Sequence, residues 1–219
     1  PGCDERVSGR AGLVCLDCLK SMEPLRDPLC PVCGAPDTAV GSVACANCPP
    51  HPRHFTRARA ATSFRNVART LVERVKYAER TEYVPVMGEL MAAVFEREFL
   101  RVPPDLLLPV PLHRVRQRER GFNQAERLAR HLSLLFKVPL APRAALVRVR
   151  ATPSQTRLGR EERAENIRGA FEVRDPVVFA GRSLLLVDDV FTTGATLNEV
   201  AGVLAPCVPD DRSEERRVG

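Results

Sequence analysis

The spacing of the cysteines constrains this chain more than any other feature. Seven of the eight lie within the first 48 residues, at 3, 15, 18, 30, 33, 45 and 48. After the single Cys3 they form three C-x-x-C pairs, CLDC, CPVC and CANC. The arrangement repeats: Cys3 and Cys33, Cys15 and Cys45, and Cys18 and Cys48 are each 30 residues apart. Applied to Cys30, the same period calls for a cysteine one position before Pro1, so at least one residue is expected ahead of it. Each unit then reads C-x-x-C, eleven residues, C-x-x-C. Each pair makes a tight knuckle, and two knuckles close a tetrahedral thiolate site of the zinc-ribbon kind. Gly34 suits such a knuckle, because the residue just past the second sulfur often needs positive φ. Disulfides are the competing reading, but nothing here points to secretion, and an iron–sulfur cluster also stays open. The expected ligands are Cys3, Cys15, Cys18, Cys30, Cys33, Cys45 and Cys48. Four thiolates leave no position for substrate, so the zinc is expected to be structural, folding residues 1–50, which hold few large apolar side chains. Cys207 stands apart and reads as a small hydrophobe.

Beyond Cys48, PPHPRHF is a linker by composition. RARAATSF (57–64) alternates like a strand. NVARTLVERVKYAER places Val67, Leu71, Val72 and Val75 on one helical face, and a second helix is expected over about 86–100. A short apolar strand at 106–110 then enters a basic loop in which Arg114, Arg116, Arg118 and Arg120 alternate. Asn123 with Glu126 three residues on resembles a capping box, opening a helix that carries Leu128, Leu132 and Leu135. Residues 139–149 and 170–174 read as further strands. Between them, RATPSQTRLGREERAENIRG is long, polar and charged, as binding loops and disordered segments are. Strands alternating with helices predict an α/β fold with a largely parallel sheet.

The net charge is +6, and only three of the 33 basic residues are lysines, at 20, 76 and 137. Arginine grips phosphate and carboxylate bidentately, so an anionic ligand or nucleic acid is expected; an arginine-rich coding bias would produce the same excess. No run approaches the ~18 apolar residues of a membrane helix, and the N-terminus carries no signal pattern. A soluble, cytoplasmic protein without membrane insertion is the expectation.

The segment LLLVDDVFTTGATL, 184–197, carries the chemistry. A near-continuous apolar strand is typical of the middle of a parallel sheet. In open α/β sheets ligands bind at the carboxyl ends of strands, which is where Asp188 and Asp189 emerge. Thr192, Thr193, Gly194, Ala195 and Thr196 then lead into a helix expected over 195–205. Hydroxyls, a glycine and backbone N–H groups at a helix start make a phosphate cradle. No G-K-[ST] follows, so this is not a P-loop. Carboxylates beside a phosphate site suit neutral hydroxyls or a divalent cation, and a phosphorylated sugar meets both needs.

LLLVDDVFTTGAT resembles the signature of type I phosphoribosyltransferases, whose substrate is phosphoribosyl pyrophosphate. More narrowly, the chain resembles the ComF family, competence-associated proteins with a phosphoribosyltransferase-like fold. The double cysteine ribbon, VPLHRVRQRERGFNQAERLAR and RVRATPSQTRLGREERAENIRGAF carry that match across residues 3–205. The resemblance implies a double zinc ribbon over 1–50 and a phosphoribosyltransferase domain over 55–209, and 210–219 is read as a non-native tail. It implies that Asp188 and Asp189 hold ribose hydroxyls and Phe191 to Thr196 the 5′-phosphate. His113, Arg114 and Arg120 would lie on the pyrophosphate side. Gln155, Arg163 and Asn166 would belong to a mobile loop, 150–166, that closes and excludes water. Structural zinc, catalytic magnesium and a part in DNA uptake follow from the same resemblance, with single-stranded DNA and the uptake machinery as partners. A non-catalytic DNA-binding factor and a nucleobase-salvage enzyme remain open, since no segment declares an acceptor pocket. The strand expected after the 195–205 helix is replaced by RSEERRVG, which resembles a translated adapter oligonucleotide, so the natural sequence is expected to stop near Asp211.

Overall fold

A computed structural model of the chain describes residues 14–22, 24–36, 45, 48, 52–152 and 160–208. Cys3, Gln155 and the tail lie outside them. Helix α1, Leu16–Ser21, is capped by Cys15. Helix α2, Asn66–Tyr77, buries Val67, Leu71, Val72 and Val75, the face its periodicity predicts. Helix α3 covers Val84–Glu98 and starts with a proline in its first turn, where a missing N–H costs nothing. Strand β1, Leu106–Pro109, precedes α4, Arg114–Arg120, and α5, Gln124–Phe136. Next come β2, Leu146–Arg148, α6, Arg160–Ile167, and β3, Phe171–Val173. Strand β4, Leu184–Val187, and α7, Ala195–Leu204, complete the described chain.

Strands β1 and β4 pair in parallel, from Leu106 opposite Leu184 to Pro109 opposite Val187. Because alternate side chains of a strand leave opposite faces, this pair feeds two cores. Leu107, Leu185 and Val187 face α2, α3 and α5, where Leu71, Leu128 and Phe95 are buried. Leu106, Leu108, Leu184 and Leu186 face β2, β3, α6 and α7, with Ile167, Phe171 and Val200. Each such side chain withdrawn from water stabilises the fold by about 1.5–3 kcal/mol. The parallel pair is thus held between two layers and its C-terminal end is aimed at one place.

Several expectations change, among them that the polar segment read as a loop contains helix α6, Arg160–Ile167. Residues 57–64 form no strand. Their backbone groups find loop partners instead: Ala58 N–H donates to Val32 O, and Ala61 O accepts from Leu25 N–H. The basic loop contains a helix, α4, because His113 Nδ1 accepts the Val115 N–H at 3.3 Å and Gly121, at φ 75°, ends it in the left-handed region. Strands β2 and β3 pair antiparallel, Leu146 opposite Val173, as a separate two-stranded sheet. Finally, β4 has a strand neighbour on one side only among the described residues. Along its other side runs a cleft of about 780 Å³, roofed by residues 54–64 and lined by Phe55, Phe64, Phe99 and Phe191. Leu135 is also outside the core, half exposed at the end of α5.

Candidate functional site

The apolar side chains of β4 hold the backbone extended through Val187, so the acid pair is delivered where the strand leaves both cores. The Asp189 side chain is 5% exposed and its Oδ2 receives two donors. Lys76 Nζ from α2 lies at 2.7 Å, and Gln124 Nε2 from α5 at 3.2 Å. The Gln124 carbonyl accepts in turn from Arg120 Nη1 at 2.7 Å, and that guanidinium lies 5.8 Å over the Tyr77 ring. Three elements therefore meet at one carboxylate, and α4 reaches it through Gln124. Gln124 is set in place by its neighbour: Asn123 Oδ1 caps α5 by accepting from Ala125 N–H at 3.0 Å, and its Nδ2 donates to Val110 O at 2.9 Å. The return half of the expected capping box does not form, because Glu126 pairs with Arg143 and Arg130.

Asp188 Oδ1 accepts from Asp189 N–H at 2.8 Å. Burial, reinforced by the charge of Asp189 and opposed by Lys76, pushes its carboxyl up to about 8. Two carboxyls in unlike surroundings thus stand side by side, Asp189 held by Lys76 and Gln124 and Asp188 buried next to it, and both can meet a ligand diol. Arg148 faces the same place from β2. Its strand bridges His113, its guanidinium lies 5.5 Å over the Phe171 ring, and its Nη2 donates to Thr152. Its buried Nε has no hydrogen-bond partner among the described residues. Desolvation lowers its pKa, with the charge of Asp188 acting against that and Arg150 and Arg116 adding to it.

Helix α7 is preceded by Gly194, at φ 74°, which has no side chain with which to cap it. Thr193 Oγ1 accepts from Ala195 N–H at 3.4 Å, while Thr192 is exposed. A helix start led by glycine, next to two threonines, is suited to an anion. Phe191 packs edge-to-face on Phe55, with ring centroids 6.4 Å apart, so it anchors the loop to the segment above the cleft. Of the other residues expected at the site, Arg120 is joined to it through Gln124, and His113 through its bridge to Arg148. Arg114 is exposed on α4. Arg163 and Asn166 lie in α6, and the Asn166 carbonyl accepts from Arg150 Nη2 at 2.9 Å.

The second centre is built from Cys30, Cys33, Cys45 and Cys48, whose sulfurs all lie within 4.8 Å of one another. Cys30 and Cys48 approach to 3.6 Å, and Cys33 and Cys45 to 3.7 Å. Tetrahedral zinc with Zn–S bonds of about 2.3 Å sets its sulfurs about 3.8 Å apart, so the cluster fits that ion. At Cys30 burial is outweighed by the Cys33 and Val32 backbone N–H groups, which bring the thiol down to about 7. None of the seven described cysteines is in a disulfide. Cys15 and Cys18 form their own knuckle, with Cys18 N–H on Cys15 Sγ at 3.4 Å, inside the main core.

Sequence reasoning missed Lys76, Gln124 and Arg148. The first had one signal, the scarcity of lysine in an arginine-rich chain; the others had none.

These parts define a class: an α/β protein with an acid pair ending a strand at a helix start, joined to a four-cysteine centre able to hold zinc. No protein-family model and no solved structure matches the chain. Among curated proteins it is 31% identical over 194 residues to DNA utilization protein YhgH of Salmonella typhi, covering 87% of this chain and 83% of that one. It is 28% identical over 195 residues to Competence protein F of Haemophilus influenzae, with 87% and 83% covered. With Competence protein ComFC of Bacillus subtilis it shares 27% over 202 residues, with 87% and 77% covered. The chain belongs to the ComF family. No helix among the described residues is long and apolar enough to cross a membrane.

Proposed function

We propose that this chain binds phosphoribosyl pyrophosphate or a related sugar phosphate at the end of β4, and that it serves DNA uptake in the cytoplasm as a phosphoribosyltransferase-like member of its family. The observation that carries the reading is the unlike acid pair, Asp189 held by Lys76 and Gln124 and Asp188 beside it, set against the glycine-led start of α7. Asp188 and Asp189 hold the ribose 2′- and 3′-hydroxyls. Thr192, Thr193, Gly194, Ala195 and Thr196 hold the 5′-phosphate, with Phe191 bracing the loop. Arg120, His113, Arg114 and Arg148 face the diphosphate, together with Gln155, Arg163 and Asn166 from the 150–166 segment.

In a transfer reaction the bond between the anomeric carbon and the diphosphate oxygen breaks, and an acceptor nitrogen bonds to that carbon. Positive charge grows on the sugar and negative charge on the leaving group. Asp189 stabilises the first and the arginines the second. Magnesium is not matched by the donors present, since Asp189 Oδ2 is already engaged by Lys76 and Gln124. No step is therefore assigned to it.

The names of the relatives and the exposed Arg114, Arg116 and Arg118 favour a second reading, a single-stranded-DNA-binding factor that senses a sugar phosphate without turnover. Aromatic residues are only 5% of the chain with no tryptophan, which weighs against base stacking as its main affinity.

Calorimetric titration with phosphoribosyl pyrophosphate tests the site, beside Asp188→Asn/Asp189→Asn. Saturable binding that the double variant loses is the expected result, and binding unchanged in the variant would exclude this site. Pyrophosphate release with added nucleobases separates transferase from sensor.

A further inference from the structure

One contact of the acid pair has no role in that reading. Lys76 is one of three lysines among 33 basic residues, and it stands in a site otherwise served by arginine. Its Nζ lies 2.7 Å from Asp189 Oδ2, with the two side chains 21% and 5% exposed. An ammonium is a compact point charge, where guanidinium is a broad planar fork. It therefore occupies the place a bound cation would take beside the carboxylate. Gln124 Nε2 donates to the same oxygen, which leaves Oδ1 for a ligand hydroxyl. Oxygen donors do not gather here as a metal site requires. The four cysteines are the one cluster of three or more ligating side chains among the described residues.

We infer that Lys76 is the built-in counter-cation of the acid pair, so that this site binds a ribose phosphate without a divalent cation held by the protein. The inference rests on the sugar-phosphate reading of the site. Lys76 is a positioning residue: it acts through Asp189, neutralising and orienting the carboxylate that meets the sugar. The position on α2 suits the task, because the Val72 and Val75 side chains bury the same flank of the helix and fix where the lysine stem leaves it.

The probe is ribose 5-phosphate, which lacks a diphosphate and so brings no obligatory magnesium. The zinc-loaded full chain is titrated by calorimetry in magnesium-free buffer and again with excess Mg²⁺. For the wild type, affinity is expected to be the same in both within about twofold. Lys76→Met is expected to bind about tenfold more weakly without magnesium and to recover most of that loss when it is added, because a cation can then stand in for the ammonium. A merely structural role would give a loss that magnesium leaves unchanged, and that result overturns the inference. So does wild-type binding that requires Mg²⁺, an arm that needs no variant to fold. Lys76→Met binding as tightly as wild type in magnesium-free buffer overturns it as well. If neither protein binds under either condition while melting and zinc content are normal, the sugar-phosphate reading itself fails and takes this inference with it.

Discussion

At the scale of single residues, the two neighbouring aspartates are chemically unlike. Asp189 is paired with the Lys76 ammonium, whereas Asp188 is pushed up to about 8 by burial and by its neighbour's charge. A carboxyl whose folded-state pKa is raised binds its proton more tightly in the native chain. Its contribution to stability is complete below the unfolded value and is lost as pH rises through the folded one. Asp188→Asn removes that loss. The melting temperature of the variant should therefore exceed the wild type's by a margin that widens from roughly pH 6 to pH 8 and stays constant above. A margin that does not change with pH would show that burial is not what perturbs Asp188. The measurement stays at or above pH 6 so that the cysteine thiolates keep their metal.

At the scale of elements, the site depends on the junction between β1 and α5. Asn123 serves as helix cap and as donor to Val110 O, and it is buried. Asn123→Ala removes both bonds and leaves Val110 O unsatisfied, at a cost of roughly 1–3 kcal/mol in urea unfolding. Because Gln124 follows directly, the variant should also bind sugar phosphate more weakly. Leu128, fully buried one turn further along, has no such link to the acids. Leu128→Ala should cost about 2–5 kcal/mol while ligand affinity, measured well below the melting temperature, stays near that of the wild type. The Asn123 cap was legible in the sequence from the spacing that opens a helix. The helix α4 was not. Its seven residues bury no side chain, so they lack the apolar periodicity by which helices are recognised, and local capping by His113 and Gly121 decides its form.

At the scale of the molecule, the four-cysteine centre is tied to the body of the protein through residues 57–59. Ala58 N–H donates to Val32 O within the first knuckle. Arg59 Nη1 donates to Pro31 O at 3.2 Å, and its Nε pairs with Glu98 of α3 at 3.1 Å. The same segment roofs the cleft beside β4. Metal loss should therefore be felt beyond the ribbon. Cys45→Ser is expected to lose one zinc by metal analysis and to lower the melting temperature by about 5 °C or more. Cys15→Ser, whose sulfur belongs to the main core, should retain the zinc bound by Cys30, Cys33, Cys45 and Cys48.

By itself the sequence determined whatever depends on short spacings. These are the knuckles of the C-x-x-C pairs, the apolar face of α2, the start of α5, and an apolar strand that ends in two aspartates before a helix. Those features follow from backbone periodicity, which repeats over two to four residues and is written directly in residue order. The 30-residue repeat set out units of two C-x-x-C pairs, and the structure brings Cys30 and Cys33 to Cys45 and Cys48. Only the tertiary structure decided that β2 and β3 pair with each other rather than extend the parallel pair. It also decided that Lys76, Gln124 and Arg148 converge on the acid pair. Lys76 and Asp189 are more than a hundred positions apart, and their contact exists because α2 and β4 pack their apolar faces into one core. That core packing, rather than any local signal around the lysine, brings the cation to the carboxylate.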